Sequence, residues 1–179
     1  MAKRPKVFGL LAEYETPGEL YHACEKVRDA GYGAWDAHSP FPVHGLEKAM
    51  GLRNSIVPWI VLVMGFSGAG LGFLLQYWSS AIEYPMIISA KPFNSYPAFV
   101  PVTFELGILL GSFGAVFGMF GLNRLPTLYH SLFNSKRFAR ATDDRFFISI
   151  EARDPKYDPS RTRELLESTG ALHVEEVED

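Results

Sequence analysis

The chain has 179 residues, is 47% hydrophobic and carries a formal net charge of −3, which removes the usual basis for a nucleic-acid partner. One cysteine, Cys24, excludes an internal disulfide, an iron–sulfur cluster held by this chain alone and a CxxCH haem attachment. The average hydropathy conceals two long apolar runs, and these dominate the reading.

In chain order, Lys6 to Glu13 (KVFGLLAE) reads as a strand. TPGELYHACEKVRDAG then reads as a helix with Thr16 as N-cap, Pro17 in the first turn, Glu19 closing a capping box and Gly31 as the stop. Leu20, Cys24 and Val27 share its apolar face, so Cys24 reads as a core residue. Tyr32 to His38 is expected as a second strand. Residues 40–55 contain Pro40, Pro42 and Gly45 and are expected to be an irregular linker. The basic N-terminus is not expected to be a signal peptide, because its apolar run is short and acidic residues follow at once.

Ile56 to Trp78 has no formal charge, and Phe99 to Leu122 has only Glu105. At about 1.5 Å per residue each run reaches about 35 Å, enough for a hydrocarbon core of about 30 Å. Trp59, Tyr77, Trp78 and Tyr96 lie near their ends as an aromatic belt would. Two membrane-spanning helices are therefore predicted over 56–78 and 99–122. Lys48, Arg53, Arg124, Lys136, Arg137 and Arg140 flank the pair, while the loop 79–98 offers only Lys91. That bias predicts both termini in the cytoplasm and a periplasmic loop. No histidine lies inside either run, so this chain is not expected to ligate a membrane-embedded haem through histidine. Residues 123–142 mix aromatic and basic side chains and are expected to lie at the inner membrane surface.

Arg145 to Ala152 alternates, with Phe146, Ile148, Ile150 and Ala152 on one face. DPSRTRELLESTG follows as a helix with Asp158 as N-cap, Pro159 at the first turn and Gly170 at the end, then Leu172 to Glu178 as an edge-like strand. The order is β-α-β, two spans, β-α-β. Joined, residues 1–39 and 143–179 make an α+β fold, a ferredoxin-like split βαβ domain with the transmembrane hairpin inserted between its second and third strands. Neither half has enough core to fold alone.

Gly107, Gly111, Gly114, Gly118 and Gly121 step by 4, 3, 4, 3 and fall on one helix face. Gly65, Ala69 and Gly72 repeat that spacing in the first run, with Gly68/Gly72 as an overlapping pair. Small residues let helices approach closely in lipid, so these positions are candidate packing residues against the other span, another subunit, or both. Glu105 points away from the stripe with Ser112 two turns along, which makes them the intramembrane polar candidates. A carboxylate there calls for a hydrogen bond to a neighbouring helix, a part in proton movement, or a reach to the interface.

KPFNSYPAFVPVTFELGILLGSFGAVFGMF, LPTLYHSLFNSKRFARATDDRFFISIEA and the terminal VEEVE together resemble the small two-span membrane subunit of bacterial alternative complex III, a quinol:electron-acceptor oxidoreductase. The most specific stretches are Pro101, Phe104 and Glu105 at the entry to the second span and Asp144 to Phe147 in the strand. Ser131 departs from the pattern, where the resemblance leads one to expect proline. The resemblance implies a non-catalytic assembly subunit of a quinol-oxidising respiratory complex in the bacterial inner membrane. It also implies partners: large multi-span quinone-type subunits, an iron–sulfur subunit and cytochrome c subunits, with haem c and iron–sulfur clusters held there and none by this chain. The alternative is a stand-alone membrane sensor or transport accessory whose cytoplasmic domain binds a ligand, with His22, His38, His44 and His173 as the available side chains.

Overall fold

The structure, a computed structural model, describes residues 7–87 and 89–179; the first residue of the expected opening strand, Lys6, lies outside them. Two compact units divide the chain, residues 1–53 with 128–179 and residues 54–127.

The first unit is a four-stranded antiparallel sheet with two longer helices and one short one. Strand β1 (Val7–Tyr14) leads into α1 (Pro17–Ala30) and β2 (Trp35–His38); β3 (Phe146–Glu151), α5 (Pro159–Ser168) and β4 (His173–Glu178) follow the apolar segment. The strand order is β2-β3-β1-β4. β1 is central, with Leu10 opposite Ile150 on β3 and Leu11 opposite Glu175 on β4. Gly9 permits this approach: a Cβ there would lie 2.1 Å from the Ile150 carbonyl oxygen.

The caps legible in the sequence are formed. Thr16 Oγ1 accepts from the Glu19 amide and the Glu19 carboxylate accepts from the Thr16 amide, while Gly31 closes α1 at φ +79°, a conformation that favours glycine. Asp158 accepts from the amides of Ser160 and Arg161 at the start of α5.

On one sheet face, Leu10, Ala12, Tyr14, Phe146, Ile148 and Ile150 pack with Leu20, Cys24 and Val27 of α1 and Leu166 of α5. Cys24 is wholly buried, and burial pushes its thiol up to about 12, so at neutral pH it is a protonated core side chain. The opposite face is covered as well. Leu11, Phe147 and Val177 meet Leu132, Phe138 and Ala141, which lie in two short 3-10 turns, Ser131–Asn134 and Phe138–Thr142. Alternation along β3 suggests one buried face; the structure buries all of Phe146 to Ile150 because this strap packs on the second side. Ser131 begins the first turn, and its hydroxyl donates to Asp179 Oδ1 at 2.6 Å. Under the strap, the buried Glu13 meets Arg137 at 3.1 Å, Arg145 at 3.6 Å and Arg140 at 3.7 Å, so three guanidiniums offset the desolvation of one carboxylate.

Two expectations are corrected here. The second strand starts at Trp35 rather than Tyr32, because the amides of Gly33 and Ala34 both donate to Asp154 Oδ2 at 2.7 Å instead of joining a ladder. The linker 40–55 is not wholly irregular: Leu46–Met50 forms helix α2 between Gly45 and Gly51, held by Arg28 Nη1, which donates to the carbonyls of Lys48 and Ala49.

Asp154 is 5% exposed and also accepts from the Lys156 amide at 2.8 Å. Burial raises its pKa, but the amides of Ala34, Lys156 and Gly33 and the Lys156 charge outweigh burial and hold the carboxyl below the ordinary carboxylate value. Its contribution to stability is therefore present above the unfolded-state pKa of about 3.9 and is lost as pH falls through the lower folded-state value. Asp154→Ala leaves three amides without their acceptor and is expected to cost at least about 1–3 kcal/mol. Thermal unfolding followed by circular dichroism should show the variant destabilised at pH 7 and the gap to the wild type narrowing in acid.

Candidate functional site

The second unit is a helical hairpin. Helix α3 spans Val57–Tyr77 and continues as a π-helical stretch, Trp78–Glu83; α4 spans Tyr96–Leu122. The helical region thus runs past Trp78, and α4 starts three residues before Phe99. Pro97 sits in the first turn of α4, where a missing N–H costs nothing. Both helices are long and apolar enough to cross a bilayer, and only 11% and 17% of their most apolar windows are buried inside the chain. A core helix of a water-soluble protein buries most of its surface, so these side chains require an apolar surrounding from elsewhere.

The small residues of the two helices face one another. A Cβ on Gly68 would stand 2.2 Å from the Leu106 carbonyl oxygen, and one on Gly72 would stand 3.1 Å from Thr103 Cα. From the α4 side, a Cβ on Gly114 would meet Met64 at 3.0 Å, on Gly118 Ile60 at 3.3 Å, on Gly107 the Ala69 Cβ at 3.4 Å and on Gly111 the Gly65 Cα at 3.7 Å. Gly65 lies 3.6 Å, by the same measure, from the Gly107 carbonyl oxygen. Gly121, on the same stripe by spacing, has no atom within 4 Å of such a position. The tightest approach falls at Gly68, one residue from the Ala69 that spacing puts on the stripe.

Sequence reasoning missed Gln76. Its side-chain amide donates toward the Phe99 carbonyl at 2.9 Å, the Gly72 carbonyl at 3.0 Å and Thr103 Oγ1 at 3.4 Å. Two N–H groups shared among three acceptors tie α3 to α4 at one end of the hairpin. The available signal was that Gln76 is the one amide side chain in the first apolar run.

Beside the glycine contact runs a groove of about 960 Å³ whose floor includes Gly65, Ala69, Gly107 and Gly111 and whose walls include Phe66 and Phe104. Ser112 lines it; Glu105 does not. Both residues are exposed on α4. Glu105 makes no hydrogen bond or ion pair with another described residue, so the structure does not join these two polar candidates into one site. The histidines stay apart too. His22 lies against Glu25 at 3.2 Å and His38 Nε2 is 3.1 Å from Ser149 Oγ; burial holds His38 below the ordinary histidine value. Among the described residues no three His, Cys, Asp or Glu side chains form a metal-binding group.

A family model described as Alternative complex III, ActD subunit, matches residues 8–176. The chain belongs to that family. It is accordingly a subunit of alternative complex III, a respiratory oxidoreductase complex, and its two apolar helices agree with a membrane protein. No curated protein matches the sequence.

The paired variants Gly68→Ala and Gly70→Ala separate packing from propensity. A Cβ at Gly70 meets nothing within 4 Å, so Gly70→Ala should keep or raise stability by up to about 1 kcal/mol. Gly68→Ala must push the helices apart and is expected to cost about 1–3 kcal/mol. Thermal denaturation of the two variants in one mild detergent checks the order; equal melting points would place the helix contact elsewhere.

Proposed function

We propose that this chain is a non-catalytic assembly subunit of a quinol-oxidising respiratory complex of the bacterial inner membrane. The observation that carries the reading is the ActD family match over residues 8–176. Its chemistry is consistent with that role: the lone thiol is buried and protonated, no histidine sits in α3 or α4, and Gln76 serves helix contact. Electrons would then pass through clusters and haems in the iron–sulfur and cytochrome c partners, beside large multi-span quinone-type subunits.

The soluble unit is read as a ferredoxin-like split βαβ domain carrying the hairpin between its second and third strands. The chain order of its elements and the antiparallel order β2-β3-β1-β4 support this. A tag on this chain should pull down haem absorbance that the chain itself has no means to supply; recovery of the chain alone from gently solubilised membranes would refute the assembly role.

Glu105 is assigned a structural role, as acceptor of a hydrogen bond from a neighbouring helix. The support is its exposure on α4 without a partner among the described residues and the cost of leaving a carboxylate in hydrocarbon. Glu105→Gln keeps the shape and one acceptor oxygen, so its cost should be small, no more than the about 0.6 kcal/mol that an interhelical hydrogen bond averages, and assembly and quinol oxidation should stay intact. Normal assembly and electron transfer with abolished proton release in vesicles would assign the residue to proton movement instead.

Both termini are placed in the cytoplasm on the basic bias around the hairpin. A cysteine introduced at Asn94 should react with an impermeant maleimide once the outer membrane is opened and the inner membrane is intact. Reaction only after inner-membrane lysis would reverse the orientation.

A further inference from the structure

The strap that covers the second sheet face has an outer side that the fold itself does not use. Leu132 and Phe138 turn inward, while Leu128 is 97%, Phe133 73% and Tyr129 59% exposed. Among the described residues the sheet unit has six exposed large hydrophobic side chains, Phe41, Leu52, Leu128, Tyr129, Phe133 and Leu172, and three of them fall within the six residues 128–133. The segment is not free to fold them away. Ser131 is tied to Asp179, Asn134 donates to the Glu178 carbonyl at 2.9 Å and to Tyr129 Oη at 2.7 Å, and Ser135 is bonded to Glu175. The ring of Phe133 packs edge-on against Phe138 at 5.7 Å. The carboxylates of Asp179 and Glu175 are thereby engaged with the strap's own hydroxyls.

Two facts identify the occupant of this face. Leu128 follows Leu122, the last residue of α4, by six residues, a length of chain that spans at most about 20 Å. Arg124, Lys136, Arg137 and Arg140 lie in a stretch with no acidic residue between Glu105 and Asp143, and Lys136 and Arg137 are exposed. Aliphatic and aromatic side chains interleaved with basic ones beside a span end suit the boundary between acyl chains and phosphates.

We propose that the outer side of Leu128–Lys136 is a docking surface for the phospholipid interface, with Leu128, Tyr129 and Phe133 at the level of the upper acyl chains and Lys136 on lipid phosphates, while Arg137 stays turned inward on Glu13. The inference rests on α3 and α4 crossing the bilayer, and not on the identity of the partner subunits.

The test uses the full chain in phosphatidylcholine–phosphatidylglycerol vesicles, with an environment-sensitive fluorophore on Leu128→Cys, Phe133→Cys or Leu172→Cys in turn. Wholly buried Cys24 remains unlabelled in the folded protein. Labels at positions 128 and 133 should emit blue-shifted light, be quenched by lipid spin-labelled high on the acyl chain, and be quenched by aqueous iodide several-fold less than the label at 172. Iodide quenching equal to that at position 172 would overturn the proposal. Repeating the measurement in the purified complex distinguishes the other occupant. Protection there from iodide and from lipid spin label alike would mean that a partner chain covers the face, which overturns the lipid assignment and leaves the assembly role standing.

Discussion

The pairing of β1 with β3 is the constraint on which the rest depends. Gly9 lies opposite Glu151 and Tyr14 opposite Phe146, so the centre of the sheet joins residues that the apolar segment separates along the chain. The edge of the sheet tightens the condition, since His38 at the end of β2 is opposite Phe147 at the start of β3. The chain therefore leaves the sheet and returns to it at neighbouring backbone positions. Any segment that leaves and rejoins a domain on one side of a bilayer crosses it an even number of times. Two apolar helices in close contact are the smallest solution.

That contact has its own logic. In lipid there is little hydrophobic gain from bringing two apolar helices together, so contact has to come from backbone proximity and a few hydrogen bonds. Gly68 against the Leu106 carbonyl supplies the first and Gln76 the second. Glycine lowers helix propensity by about 1 kcal/mol relative to alanine; at Gly68 of α3 that cost is offset by an approach no side chain would permit, since a Cβ there would stand 2.2 Å from the Leu106 carbonyl oxygen. Most of the remaining surface of α3 and α4 is apolar, with Glu105 and Ser112 as exposed polar exceptions.

Much of this was readable from residue types alone. Thr16, Pro17, Glu19 and Gly31 mark a helix because their local chemistry satisfies orphan amides and carbonyls whatever the tertiary structure does, and Asp158 with Pro159 works in the same way. The apolar spans announce themselves by length. What stayed hidden depends on distant partners. Helix α2 exists because Arg28, from α1, binds its carbonyls. The second strand is shortened by an aspartate more than a hundred residues away. The face used by α3 was ambiguous because Gly65, Gly68, Ala69, Gly70 and Gly72 cluster so closely that several orientations present small residues. The burial of Phe147 follows from the strap, whose aromatics read as surface-seeking when their inward half was unknown.

The central position of β1 has a consequence for biosynthesis. Both of its neighbours, β3 and β4, come from the last stretch of the chain, so the first strand made is the last to be completed. While the apolar helices are being inserted, β1 offers two unpaired edges and the helix-side core has only its N-terminal contributors. Synthesis at about 5–20 residues per second makes that interval one of seconds, long by the standards of chain collapse. A polypeptide truncated anywhere before β3 would present an open strand and a bare apolar helix face to the quality-control machinery. Only a chain that includes β3 and β4 pairs both edges of β1 and completes the helix-side core, so the order of synthesis leaves the centre of the sheet to be closed last.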